Sequence, residues 1–409
     1  MSERARLAVA WLLVGVLAVR FLFVVARASV TPSHGFVAYY TAARLLLEGA
    51  PVSRFYDDGW FREQVARFEP RTSDIYNVNP PSTALMLLPL ASLSHDAARL
   101  AWTGLNLVLL LAAVTVLLRS LGLGGGWQAM AWGLTLVIQP VAANFVLGQA
   151  YVLLLALLIL AWLGWQRTRP ALLGGPLGAM LALKAGGLLI WPLLVQRQPW
   201  RALVAGAAAA GAIVVASLPM TGLDAWQVYA ALLIDFSGGP ELSVTAYQSM
   251  FSLLRRLTVF DTQWNPAPLF DAPLLGAVAP WLALAVVLAV SAYGLQRTTE
   301  PGPAFAAFVI TSVAFSPVSL DYHYTLLLVP LFILLVWAIR QRSPAVWAVW
   351  ALSALAIGLD LPYRSPRLES SAWVLLAYPK LCGAGLLWAL ATWACLRPRS
   401  LPAVKHDPA

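Results

Sequence analysis

Apolar runs of roughly twenty residues recur along this chain, separated by short polar stretches. A helix of about that length crosses the hydrocarbon of a bilayer. Lipid offers the backbone no hydrogen-bond partner, so spanning segments must be helices or a closed barrel. The pattern predicts spans near 7–27, 81–95, 97–118, 127–144, 148–165, 171–195, 201–219, 273–296, 303–318, 322–340, 344–361 and 372–396. The expected fold class is an all-α polytopic membrane protein of about 10–13 transmembrane helices. Three of the predicted spans, 81–95, 127–144 and 303–318, are short or broken by proline, so re-entrant or strongly tilted segments are expected among them.

Polar residues interrupt this pattern in a few places. The longest interruption, Thr31 to Pro80, holds 11 of the 45 charged side chains. A loop of that length among helices is usually functional or disordered, and its aromatics and short amphipathic runs argue for a folded one. The chain is read as one integral membrane domain over 1–409, with a first extracytoplasmic loop over 28–80, a second large polar loop over 221–272 and a cytoplasmic tail over 397–409. Arg4 and Arg6 before the first span, and Arg397, Arg399 and Lys405 after the last, put both ends in the cytoplasm. With the spans as drawn, Arg119, the Arg167/Arg169 pair, the Arg197/Arg201 pair and the Arg340/Arg342 pair cannot all face the same side, so one boundary is misplaced.

Composition agrees with the pattern: 60% hydrophobic and 11% charged residues, with a mean hydropathy of +0.75. The net charge of +9 is what arginines at helix ends produce, and no basic run with interleaved aromatics points to nucleic acid. Cys382 and Cys395 fall on different faces of the last span, about 20 Å apart along a helix, and form neither a disulfide nor a metal cluster.

Ionisable residues inside apolar runs are costly and therefore candidates for function. Lys184 sits within 171–195, where it either lines a wet cavity or snorkels to the headgroups; Gly186-Gly187 suggests a break there. Gln149 follows Gly148 at a span boundary, either to contact a ligand or to bond a neighbouring helix. Ser316 to Tyr324 gathers Asp321, His323 and two tyrosines between apolar runs, with Asp321 also suited to capping the next helix. In the second polar loop, Gln248-Ser249 precede Arg255-Arg256, which can pair with phosphate or simply end a helix.

These islands, in this order, resemble glycosyltransferase family 87, the polyprenyl-phosphate-mannose-dependent alpha-mannosyltransferases of C-type glycosyltransferase architecture. Phe36-Val-Ala-Tyr39-Tyr40-Thr-Ala-Ala-Arg44 through Glu48-Gly49 and Tyr56-Asp57 looks like the family's first-loop signature. Tyr76-Asn-Val-Asn79-Pro80-Pro81, Gly148-Gln149, Lys184, Gln248-Ser249 with Arg255, and Ser316-Pro317 with Asp321 and His323 continue it. The family usually has an aspartate directly before the first-loop phenylalanine, taken to be the base; here that position is Gly35, beside His34.

The resemblance implies a membrane glycosyltransferase that moves a hexose, mannose in the family's pattern, from a polyprenyl-phosphate-sugar donor to a glycan or glycolipid acceptor. The active site would face the extracytoplasmic side of the plasma (inner) membrane, and no metal or other cofactor is implied. An inverting transfer needs a base for the acceptor hydroxyl and donors for the departing phosphate. The candidate bases are His34, Asp58 and Asp74. Tyr39, Tyr40, Asn79, Gln149, Lys184, Gln248, Ser249, Arg255, Asp321 and His323 are the candidate substrate contacts. The vacated aspartate position keeps open the alternative of a non-catalytic carrier or flippase of lipid-linked sugars.

Overall fold

A computed structural model describes residues 2–76, 79–197, 199–368 and 371–397. Sixteen α-helices follow in order: α1 (Glu3–Ser29), α2 (Phe36–Leu47), α3 (Asp58–Phe68), α4 (His95–Ser120), α5 (Gly125–Val137), α6 (Gln139–Leu147), α7 (Tyr151–Gln166), α8 (Pro170–Lys184), α9 (Pro192–Arg197), α10 (Pro199–Gly238), α11 (Met250–Thr258), α12 (Pro273–Arg297), α13 (Pro301–Ala314), α14 (Leu328–Gln341), α15 (Pro344–Gly358) and α16 (Pro379–Leu396). No strand occurs among the described residues, only an isolated bridge between Asp261 and Asn265. Arg399 and Lys405, and all of the predicted tail beyond Arg397, lie outside the described residues.

Among the described residues, six helices are long and apolar enough to cross a membrane, and a seventh span results if α5 and α6, bent by 45° at Ile138, count as one. The shorter apolar helices α7, α8, α13 and α15 run alongside them. Boundaries are written in the local chemistry: Ser2 and Ser94 cap α1 and α4 by accepting from Ala5 and Ala97, and proline opens α8, α12, α13, α15 and α16. The predicted span 81–95 is not one. It forms two 3-10 turns, Pro81–Leu85 and Leu88–Leu90. Its apolar residues face protein rather than lipid, because Ser82 and Thr83 donate to the carbonyls of Ala182 and Leu183, each at 2.5 Å.

The loss of that span, together with a return of the chain after Lys184, resolves the conflict among the arginines. Trp162 bonds Ser120 at 3.1 Å, Trp165 bonds Pro301 at 2.8 Å, Arg340 pairs with Glu300 at 3.8 Å and Arg397 donates to Gln341 at 2.5 Å. The turns bearing Arg119, Arg167, Arg169, Arg340 and Arg342 therefore gather at one end of the bundle. Helices α8 and α10 pack in parallel: a Cβ on Gly174 would come within 1.9 Å of the Ala202 carbonyl, and one on Gly178 within 2.1 Å of the Gly206 carbonyl. Small residues permit such close backbone contact within a membrane. The segment between these helices consequently runs back toward the arginine end, which places Arg201 there too. The first loop sits at the opposite end.

Two buried cations belong to the scaffold. Arg99, 1% exposed, donates to the carbonyls of Ala28, Phe145 and Val146 at the ends of α1 and α6. Lys380, also 1% exposed, donates to Ile357 and Leu359 at the end of α15. Helix C-termini leave carbonyls without partners and carry partial negative charge, so a buried cation is well matched there.

Candidate active site

The first loop is a folded lid with its own core. Val37, Ala42 and Leu45 of α2 pack with Phe55, Phe61, Val65 and Tyr76, and Tyr76 meets Phe55 edge to face at 5.5 Å. Tyr76 donates its hydroxyl to the Pro80 carbonyl at 2.8 Å, and Tyr56 donates to that of Asn79 at 2.9 Å. With Ser82 and Thr83 bonded to the last turn of α8, these contacts bring Asn79 and Tyr39 to Lys184. Its ammonium donates to Asn79 Oδ1 at 2.5 Å and to Tyr39 Oη at 2.8 Å, while Tyr39 donates onward to Gln149 Oε1 at 2.5 Å. An ammonium has three N–H donors, and two are used here. The break anticipated at Gly186-Gly187 is present: α8 ends at Lys184, and Ala185 and Gly187 turn left-handed.

Asp74 lies beside Gly35. Its Oδ2 accepts the Gly35 N–H and its Oδ1 accepts the Ile75 N–H at 2.9 Å. Gly35 stands at the N-cap of α2 with φ 82° and ψ −67°, and a Cβ there would meet Gln149 Nε2 at 2.2 Å and the Leu147 carbonyl at 2.8 Å. Position 35 thus has no room for a side chain, and the carboxylate beside it comes from a residue 39 positions later. Burial raises the Asp74 carboxyl above the usual carboxylate range, partly offset by the two N–H donors and by nearby His34 and Lys184.

His323 supplies the third ionisable group. Its Nδ1 accepts the Leu320 N–H at 3.1 Å, so the neutral ring carries its proton on Nε2. Tyr151 and Tyr322 hold the ring on two sides, with centroids 4.1 and 4.7 Å away. Asp74, Asn79, Tyr39, Gln149, Lys184 and His323 all line one cavity of about 450 Å³. Its other wall is apolar, formed in part by Leu188, Leu189, Val313, Trp281 and Leu284. Trp281 and Leu188 are each 54% exposed, so the apolar wall is open rather than sealed within the protein. A chamber with an acid–base and cationic floor and an apolar flank suits an amphiphile with an anionic head.

The other candidates sit elsewhere. His34 is exposed and its ring bonds the Ser73 carbonyl. Asp58 is in the first turn of α3, 3.9 Å from Arg62, and Asp57 caps that helix by accepting from Trp60. Tyr40 donates to Leu93 at 2.8 Å. Gln248 is fully buried; its amide donates to Thr245 and Ala377 and its Oε1 accepts from Lys380 N–H, fastening the second polar region to α16. Ser249 caps α11 and donates to Pro317. Arg255 is not among the cavity residues. Asp321 turns away from the cavity, accepting from Tyr363, from Gln139 at 3.3 Å and from Arg364 at 3.5 Å.

Tyr151 and Tyr322 escaped the candidate list, although an aromatic two residues after Gln149 and one before His323 were visible signals. At the lid's edge, Glu69, His95 and Asp96 come close enough to share a metal ion. A guanidinium already bridges the two acids, Arg71 lying 2.6 Å from Glu69 and 2.9 Å from Asp96. Its hydrogen bonds hold the Glu69 carboxyl below the usual range.

No solved structure matches the chain significantly. Two polyprenol-phosphate-mannose-dependent alpha-(1-2)-phosphatidylinositol mannoside mannosyltransferases are similar to it. That of Mycobacterium tuberculosis is 24% identical over 372 residues and that of Mycolicibacterium smegmatis 25% over 382, each alignment covering 86% of this chain and 81% of the relative. The family model of Glycosyltransferase family 87 matches residues 77–355. On that match, which spans well over half its length, this chain belongs to glycosyltransferase family 87.

Proposed function

We propose that the protein transfers mannose from a polyprenyl-phosphate-mannose donor to a mannose-bearing glycolipid, with inversion, and that Asp74 is the base. The observation that carries this reading is the position of the Asp74 carboxylate, docked on the Gly35 amide in the same cavity as Lys184 and His323. The apolar wall toward Trp281 and Leu188 takes the start of the polyprenyl chain. The phosphate meets the third N–H of Lys184 and the Nε2–H of His323, and Tyr39 and Asn79 fix the ammonium in place. As the acceptor oxygen bonds to the anomeric carbon, its proton passes to Asp74. The bond from that carbon to phosphate breaks, and the electron pair leaves on polyprenyl phosphate. A phosphodiester monoanion thereby becomes a monoester with a second negative charge, and preorganised donors stabilise that charge as it develops. Burial raises the basicity of the carboxylate that receives the proton.

The short turns at the end remote from the cavity carry Arg119, Arg167, Arg169, Arg340 and Arg342. By the positive-inside rule that end is cytoplasmic and the cavity faces the extracytoplasmic side. The test uses the purified chain in nanodiscs, with radiolabelled polyprenyl-phosphate-mannose and a phosphatidylinositol mannoside acceptor. Label is expected in the glycolipid with wild type. Donor binding without transfer to any mannoside acceptor would instead identify a carrier.

A further inference from the structure

Behind the wall that carries His323 lies a second cavity, of about 710 Å³, lined by α6, the Leu320–Tyr322 segment and the 360–365 loop. Leu320 and Tyr322 line both chambers and separate them. The second chamber contains a buried charged group, Asp321, 8% exposed. Two of its three partners are long contacts, Gln139 at 3.3 Å and Arg364 at 3.5 Å. A carboxylate offers about four lone-pair sites, so Asp321 retains accepting capacity. Next to it, Gln139 Oε1 is buried with no hydrogen-bond partner among the described residues, a state that a bound donor would relieve. Asp321 and Gln139 Oε1 are therefore acceptors with capacity to spare, beside the Gln139 amide and Tyr363 hydroxyl donors that Asp321 already uses.

Arg364, Ser365 and Asp360 stand toward the mouth, where Arg364 and Asp360 are exposed. The apolar side is built from Ala142, Ala143, Val146 and Leu147. Paired acceptors beside a carboxylate favour a ligand rich in hydroxyl donors. They disfavour a phosphate, which would meet Asp321 and Asp360 with like charge. Tyr322 and Tyr363 also line the chamber.

We infer that this second cavity binds a neutral sugar of the acceptor glycolipid, with Asp321 and Gln139 accepting from its hydroxyls and Arg364 donating at the rim. The assignment rests on the proposed glycosyl transfer for the word acceptor, but not for the presence of a sugar site. Tyr322, stacked on His323 and exposed to both chambers, would make an occupied sugar site a neighbour of the leaving-group donor.

The experiment is binding of phosphatidylinositol dimannoside to the full chain in nanodiscs, with phosphatidylinositol and polyprenyl phosphate as comparison probes, followed by transfer kinetics. Gln139→Leu and Arg364→Ala are the primary variants, since Asp321→Asn also disturbs Tyr363. The expected result is a mannoside Kd raised about tenfold by Q139L, the loss of one good hydrogen bond, with polyprenyl phosphate binding unchanged and phosphatidylinositol bound weakly by all forms. In transfer, the same variants raise the acceptor KM and leave the donor KM unchanged. Equal mannoside affinity in Q139L, R364A and wild type would overturn the inference, as would a parallel loss of polyprenyl phosphate binding. Mannoside binding that weakens in Q139L, in a wild type that transfers no mannose, would uphold the sugar site and reject the catalytic reading.

Discussion

Replacing Asp74 with asparagine removes the proposed base while leaving its frame nearly intact. The amide oxygen can still accept the Gly35 N–H, and the side chain keeps its size. The Ile75 N–H loses its acceptor, at a cost of about 1 kcal/mol; removing a partly buried charge offsets part of that, so D74N should fold. A general base in position contributes typically 10²–10⁴-fold, or about 3–5 kcal/mol of barrier. In the radiolabel assay kcat should fall by about that factor, while the donor KM changes little, because Lys184 and His323 hold the phosphate. The pH profile gives a second readout. A base works only when ionised, so activity is lost as pH falls through its pKa. Burial raises that pKa, placing the acid limb of kcat/KM above the ordinary carboxylate range; the limb should vanish in the residual activity of D74N. A kcat within twofold of wild type, with the limb unmoved, would refute the assignment and return attention to His34.

Lys184→Gln should raise the donor KM and lower kcat together, about tenfold or more, since a charge-assisted bond to phosphate is lost; an unchanged donor KM would place the phosphate elsewhere. Gly35→Asp restores the family's usual residue, yet its Cβ has no room beside Gln149 and Leu147, so G35D should lower the melting temperature and fail to rescue D74N. Rescue would show that the two carboxylates are interchangeable. Glu69 is held below its usual range mainly by Arg71, so the native state binds fewer protons there than the unfolded chain. Its contribution to stability is present above the unfolded pKa and lost as pH falls through the folded one; E69Q should flatten that acid-side loss of melting temperature.

The helices were legible because lipid imposes a length and an apolar surface on each. The segment 81–95 misled for an instructive reason: protein interior and lipid select the same side chains, and only Pro81, Pro89 and the hydroxyls of Ser82 and Thr83 hinted that this stretch packs on α8. Once it is removed and 171–195 is broken after Lys184, the arginine turns fall at one end, so charge placement carried topological information that hydropathy alone missed. The site was half legible. Lys184, Gln149 and His323 announced themselves as polar groups in apolar runs. Gln248 and Ser249 look the same in sequence, yet their hydrogen bonds are spent on holding loops, a distinction that depends on partners far along the chain. The pairing of Asp74 with Gly35 joins residues 39 apart through a backbone amide, for which no local pattern exists.

In the proposed mechanism Asp74, Lys184 and His323 surround one sugar-phosphate head. That arrangement is tested most directly by an experimental structure of the chain with polyprenyl-phosphate-mannose bound to D74N. Phosphate oxygens are expected about 3 Å from Lys184 Nζ and His323 Nε2, with the first isoprene units against Trp281 and Leu188 and the mannose between them and residue 74. A phosphate seated instead at Arg255 and Arg256, or beside Arg364 in the second cavity, would contradict it.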